Sequence, residues 1–354
     1  MSQQYQLIGL MSGTSGDGLD IACCQFTKSA EWKFEILEAE TIPFPKKLEK
    51  ELNNAHLLSS LELNLLDVEF GRWMGEVTKN FVHQHQLEIK AIASHGHTVF
   101  HQPQKGLSRQ IGNGWAMLVA SGIPVINDFR MLDVQLGGQG APLVPIGDKL
   151  LFQDFDYCIN LGGIANISMD EGDQMKAFDI CPFNLLLNHY AKTLKMPFDK
   201  GGIIARSGKI VSEILKKLND HPYYNVKGAK SLGREDLDEF FEILEANATI
   251  ETNDKLRTII AHAVHQIKLV IPSLKGKLLL TGGGAFNIFF IEELKNALGT
   301  GVSIPDTDPI LINFKEALIF AFLGVLRLRN ENNCLASVTG ASRDSSGGMI
   351  FGQV

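Results

Sequence analysis

The chain carries no surplus of basic charge: 33 Lys and Arg stand against 40 Asp and Glu, for a formal net charge of −7. Phosphate backbones are gripped by clustered cations, and no basic stripe interrupts the sequence, so nucleic acid is not expected as a partner. Cysteine is sparse as well. Cys23, Cys24, Cys158, Cys181 and Cys334 are scattered, odd in number and form no C-x-x-C pair. That pattern argues for free thiols in a reducing compartment and against zinc. Long apolar runs are lacking too; the longest, residues 317–326, is about half of what a membrane crossing takes. The opening residues, MSQQYQLIGL, hold neither a basic region nor a cleavable apolar segment. A cytoplasmic location without membrane attachment is therefore expected.

The common nucleotide and hydrolase signatures are also missing. The nearest match to a Walker loop, Gly202 to Lys209, is one residue too long and is followed by Ile210 rather than Ser or Thr. Runs beginning at Gly16, Gly112, Gly138 and Gly282 all lack the third glycine of a dinucleotide fingerprint. No G-x-S-x-G elbow occurs.

Glycine itself is plentiful, with 34 residues, more than turns alone require. Alternating patterns predict strands at 5–10, 19–26, 34–42, 89–94 and 123–129, with helices at 45–56, from the Ser59-x-x-Glu62 capping box onward, and at 115–120. Near residue 150 the pattern restarts, with strands at 157–161, 164–169, 175–179 and 277–280. Helices are expected at 183–194, 203–218, 235–244, 254–271, 288–298 and 314–328, the last apolar nearly all round. Two halves that each open with strand, Gly-rich turn and strand suggest a duplicated α/β architecture.

Three glycine clusters sit at strand ends. The run GLMSGTSGDGLD (residues 9–20) offers Gly13, Thr14, Ser15, Gly16, Asp17, Gly18 and Asp20. Its bare amides and hydroxyls would cradle phosphate oxygens, and Asp17 would hold Mg²⁺ through water. A plain tight turn needs only one or two glycines. INLGGIANIS (159–168) places Gly162 and Gly163 in the matching turn of the second half. TGGGAFN (281–287) places Gly282, Gly283 and Gly284 between a strand and a helix, where a flat adenosine ring could lie on the backbone. This is the arrangement of the actin, hexokinase and Hsp70 superfamily. The expected fold is α/β: a two-lobed actin-like ATPase (ribonuclease H-like) fold with a central nucleotide cleft. Residues 1–150 and 330–354 would make the first lobe, and 151–329 the second.

Beyond the superfamily, the chain resembles one family, the anhydro-N-acetylmuramic acid kinases. The matching segments are GLMSGTSGDGLD, SHGHTVFHQP (94–103), GIPVINDFRMLDVQLGGQGAPLVP (122–145), INLGGIANIS, TGGGAFN, KEALIFAFLG (315–324) and SVTGAS (337–342), in family order. The resemblance implies an ATP- and Mg²⁺-dependent enzyme of peptidoglycan recycling. It would open the 1,6-anhydro ring of 1,6-anhydro-N-acetylmuramic acid with water and phosphorylate O6, giving N-acetylmuramic acid 6-phosphate and ADP. The family's base opens a D-T-G-P-G-N motif, which stands here as Asp179-Ile180-Cys181-Pro182-Phe183-Asn184. Asp179 would be the base and Asn184 a substrate contact; a plain helix cap is the alternative for Asp179. Arg130 would face the lactyl carboxylate of the sugar, unless it forms a structural ion pair with Asp128 or Asp133. Glu316 would assist Asp179, whereas Lys315 beside it could mark a solvated edge. His97 replaces the family's Gln in H-G-Q-T and is expected to bond the sugar; with His95 and His101 it completes no metal-ligand spacing. Asn113 stands where the family usually has Asp. A homodimer is implied by the resemblance alone. Two rivals stay open: a kinase of the same superfamily for a sugar with a free 6-hydroxyl, and a silent nucleotide-binding sensor.

Overall fold

The computed structural model describes residues 3–12, 18–172, 174–226, 230–233, 236–272 and 274–353. Two compact units divide the chain, Met1–Phe152 with Phe314–Val354, and Gln153–Asn313. The first unit contains β1 (Gln3–Ser12), β2 (Gly18–Lys28), β3 (Trp32–Pro43), β4 (Ala91–Ser94), β5 (His97–Gln102), β6 (Leu107–Ile111) and β7 (Val125–Asn127). The second holds β8 (Tyr157–Leu161), β9 (Ile164–Asp170), β10 (Met175–Pro182), β11 (Gly276–Thr281) and β12 (Val302–Ser303). The last strand, β13 (Met349–Phe351), returns to the first unit.

The two main sheets share one topology. The first runs β13-β7-β4-β1-β2-β3 and the second β10-β9-β8-β11-β12. In each, the first strand of the unit is central and the second lies antiparallel between the first and third. On the other side β4 and β7 add in parallel in the first sheet and β11 and β12 in the second, and β13 closes the first sheet antiparallel to β7. This repeated order is the ribonuclease H-like pattern expected of an actin-like fold, so the chain is an α/β protein of that class.

Both faces of the first sheet are covered. Ile8, Leu10, Leu19, Ile21, Ile92 and Val125 join a core built with the helices Lys46–Asn53 and Ser60–Gln84. The second of these helices opens with the expected capping box, Ser59 accepting from the Glu62 amide and Glu62 from that of Ser59. On the opposite face Gly9 meets the helix Pro309–Leu328. A Cβ at Gly9 would stand 1.8 Å from the Ala317 carbonyl oxygen, so only glycine lets strand and helix approach this closely. Part of the glycine excess is thus spent on packing rather than on phosphate.

That helix departs from two expectations. Its 20 residues are long and apolar enough to cross a membrane by length and composition, although the apolar run looked too short in the sequence. Most of it is buried, as in the core helix of a globular protein. Residues 314–328 also group with the first unit, not with residues 151–313, because their side chains and backbone pack on β1 and β4. The β5–β6 ribbon and the helix Pro145–Leu151 are elements the sequence patterns did not reveal. The continuous helix expected at 203–218 is two, Ile203–Ser207 and Ser212–Asn219. Between them the Lys209 and Val211 amides turn to Asp254 and Thr258.

The second sheet alternates cleanly. Tyr157, Ile159, Leu161, Ala165, Ile167, Leu278 and Leu280 face one core with the helix Thr252–Val270. Asn160, Asn166 and Ser168 therefore fall on the other face.

Candidate active site

In the first unit the ordering starts from Asp133, which is fully buried on the short helix Met131–Gln135. Its carboxylate accepts from the Gly140 amide at 2.8 Å, the Thr339 hydroxyl at 2.7 Å and the Cys334 thiol at 3.1 Å. The GGQG turn and the SVTGAS segment, far apart in sequence, are thereby tied to one side chain. The Gly140 carbonyl in turn accepts from Arg130 Nη1 at 2.7 Å. Arg130 Nε and Nη2 both point at His95 Nε2, at 3.2 and 2.8 Å. Arg130 is thus held by His95 and Gly140, and not by the ion pair with Asp128 or Asp133 left open above. A ring that accepts at Nε2 carries its proton on Nδ1 and is neutral. Burial, reinforced by the Arg130 charge, pushes His95 well below the ordinary histidine value. Burial pulls Arg130 down to about 10, opposed by the negative charge of Glu316, so the guanidinium still carries its proton at neutral pH.

Glu316 lies about two turns into the helix Pro309–Leu328, just before its apolar run. Burial first, then repulsion from Asp20, raises its pKa, while Arg130 and Lys315 pull it down. Asp20, on β2, accepts from the Thr41 hydroxyl at 2.5 Å across the β2–β3 pair. Lys315 is no solvated edge: it is buried and ion-paired with the buried Asp148 at 2.7 Å. His97 sits 3.1 Å from Ser12 Oγ through Nδ1, on the last residue of β1, and burial lowers its pKa. Asn113 caps the helix Gly114–Ser121 through the Ala116 amide at 3.0 Å and also bonds Asp67, a structural role. Gly18 opens β2. Gly13, Thr14, Ser15, Gly16 and Asp17 lie outside the described residues.

In the second unit Asp179 sits near the end of β10, at a bulge where Ile180 is the extra residue opposite β9. Bulges re-aim side chains, and here Ile180 and Cys181 both turn into the core while Asp179 stays on the polar face. The Asp179 carboxylate accepts from the Leu232 amide at 2.9 Å through Oδ2. Burial raises its pKa; the Leu232 amide works in the other direction. It caps no helix: the helix Asn184–Thr193 is capped from Phe183 without any side chain. Cys181 and Phe183 are fully buried, Phe183 edge-on to Phe290 at 4.8 Å. No residue from 180 to 183 has a positive φ.

Register adds two residues that the motif reading quoted but did not single out. Thr281, Asn160, Asn166 and Asp179 are successive partners across β11, β8, β9 and β10. Asn160, Asn166 and Asp179 are half-buried, polar and close to the turn between β8 and β9. Their signal in the sequence is the polar residue at every second position of a strand that otherwise reads as core.

The turn itself works through its carbonyls. Those of Gly162 and Gly163 accept from the amides of Asn184, Phe183 and Leu185, and Asn184 Nδ2 donates to the Leu161 carbonyl at 2.9 Å. Asn184 thus joins the helix start to the hairpin. Gly282 has φ +79°, and a Cβ there would lie 2.4 Å from Asn160 Oδ1. Gly284 is buried against Phe183 and Leu161, whereas Gly283 is exposed, with little above it but the Asn184 amide. Gly283 is the surface on which a flat ring could rest.

A model of the family described as "Anhydro-N-acetylmuramic acid kinase" matches residues 5–353. The chain belongs to the anhydro-N-acetylmuramic acid kinase family. Relatives carrying that name include those of Shewanella loihica, 35% identical over 99% of both chains, and Sulfurimonas denitrificans, 32% identical over 99% of this chain and all of the other. The protein of Vibrio cholerae is 32% identical over 99% of each. Among solved structures, component A of the (R)-2-hydroxyglutaryl-CoA dehydratase of Acidaminococcus fermentans is 11% identical, with TM-score 0.43, covering 90% of this chain and 96% of the other. A ROK hexokinase from Thermus thermophilus is 13% identical, with TM-score 0.37, covering 92% and 100%. Membership in the anhydro-N-acetylmuramic acid kinase family makes the chain a sugar kinase, a transferase that uses ATP.

Proposed function

We propose that this kinase hydrolyses the 1,6-anhydro bridge of 1,6-anhydro-N-acetylmuramic acid and transfers the γ-phosphoryl group of ATP to O6, with Asp179 as general base. The observation that carries this is Asp179 itself, a half-buried carboxylate at a bulge with Oδ2 held by a backbone amide. One oxygen is oriented, leaving Oδ1 to take a proton from water. Water oxygen bonds C1 as the C1–O6 bond breaks. O6 then bonds the γ-phosphorus while the bond from that phosphorus to the leaving ADP oxygen breaks. Raised basicity suits the task, because a carboxylate nearer neutral pH accepts a proton more readily.

Arg130 would pair the lactyl carboxylate. Three of its five N–H groups are spent on His95 and Gly140, which fixes the plane of the guanidinium and leaves one N–H on each Nη. His97 would bond the sugar and Glu316 would orient water or substrate. Gly162 and Gly163 would face phosphate, and Gly282, Gly283 and Gly284 the adenosine. Mg²⁺ usually takes one or two carboxylates plus phosphate oxygens and water, so no protein cage is needed. Asp17 and Asp20 are the candidates for such a carboxylate. Mg²⁺ would neutralise charge on the phosphates. A cytoplasmic, reducing location accords with five cysteines that are all free and buried, and a homodimer is a further part of the proposal.

The test is turnover of the anhydro sugar with ATP and Mg²⁺, followed by product mass. The expected product has gained one water and one phosphoryl group. Phosphorylation of N-acetylmuramic acid but not of its anhydro form would instead make this an ordinary 6-hydroxyl kinase.

A further inference from the structure

Asp179 is gripped from a part of the chain that no motif marks. Its main-chain N–H donates to the Lys230 carbonyl at 3.0 Å, and its carboxylate accepts from the Leu232 amide. Its own carbonyl accepts from the Tyr223 hydroxyl at 2.5 Å. Residues 230–232 therefore run beside β10 as a strap, and Tyr223 closes the third side. The pieces are locked together: the Lys230 ammonium lies 4.4 Å above the Tyr223 ring and donates to the Tyr223 carbonyl at 3.4 Å. Each end has its own pin. His221 accepts from the Tyr223 amide at 3.3 Å and bonds Glu239 at 2.8 Å. Gly233 donates to Asp236 at 2.6 Å.

We propose that Tyr223 is a positioning residue for the reaction, acting with the 230–232 strap to aim the Asp179 carboxylate at the attacking water. The bulge at Ile180 interrupts the β9–β10 register at this point, and contacts from outside the sheet hold Asp179 in place. This rests on Asp179 being the base. Among the described residues, the titratable groups that feel the Asp179 charge are Cys181 on its own strand and Tyr223 on the Pro222–Asn225 turn; Lys230 on the strap acts on Cys181, and Asp236 on Tyr223. The helix Thr252–Val270, packed on β10, contributes His262, which bonds the Tyr224 hydroxyl at 2.7 Å.

Tyr223→Phe removes one oxygen. Loosening the strap weakens the amide contact that favours ionised Asp179. The expected result is a kcat about tenfold lower, KM values for sugar and ATP within about twofold, and the acid limb of the kcat profile moved to higher pH. Tyr224→Phe is the control: it loses the bond to buried His262, so its thermal midpoint should fall while the acid limb stays in place. Asp236→Ala frees the far end of the strap at an exposed position and should move the limb in the same direction, by less. An unchanged kcat and acid limb in Tyr223→Phe overturns the proposal, and so does an unmoved limb in Asp236→Ala should Tyr223→Phe fail to fold. Asp179→Asn is run beside them. If it abolishes turnover while the strap variants behave as wild type, only the strap fails; if it retains turnover, the base assignment fails and takes the proposal with it.

Discussion

At the scale of single residues, two half-buried charged groups are poised by different means. Arg130 is fixed by a neutral histidine and a turn carbonyl, so its geometry depends on planarity and on three donors in a fork. Arg130→Lys keeps the charge and loses the fork. It should raise the KM for the anhydro sugar by about tenfold or more, with the KM for ATP nearly unchanged, read from steady-state kinetics with each substrate varied. Asp179 depends on burial opposed by one amide. Because burial raises its pKa and the base must be ionised, kcat should fall on acidification from a point above the usual aspartate range. A pH profile of kcat whose acid limb sits at the ordinary aspartate value would contradict this. Asp179 was legible through its motif, since Asp, Pro and Asn survive there. The strap was not, because Leu232 is 53 positions away and its contribution is a backbone amide that any residue but proline supplies.

Elements explain what the glycines do. Gly9 lies in a motif that reads as a phosphate turn, yet its own position is a strand face pressed on the helix Pro309–Leu328. Gly9→Ala should destabilise the protein by about 1–3 kcal/mol or more in chemical unfolding, since backbone on both sides must move to admit a methyl group. The strand pattern of both halves was readable because alternation and Gly-rich turns are local. The β5–β6 ribbon and the break at 207–212 were not, because tertiary bonds from Asp254 and Thr258 decide the break. The helix Thr252–Val270 carries a second prediction. His262 is fully buried, donates from Nδ1 to Asn219 and accepts from Tyr224, an arrangement only the neutral ring can make. Burial pushes it down to about 3. The unfolded chain, with an ordinary value near about 6.5, binds the extra proton first, so stability is full above that pH and is lost progressively below it. Thermal midpoints from pH 7 to pH 4.5 should fall, and His262→Gln should flatten the slope; equal slopes would refute the assignment.

For the molecule as a whole, the repeated strand order gives two units with separate cores, each carrying its own polar groups at the ends of its central strands. Net charge is a poor guide to such a protein: it is acidic, yet its proposed substrates are anions, and the proposal assigns their recognition to Arg130, backbone donors and Mg²⁺. The claim on which the rest depends is that Asp179 supplies the base. Turnover of Asp179→Asn with the anhydro sugar, measured beside its ATP affinity, tests it most directly. The expected result is a kcat lower by about 10²–10⁴-fold with ATP binding intact. Turnover near the wild-type rate with ATP bound normally would contradict it.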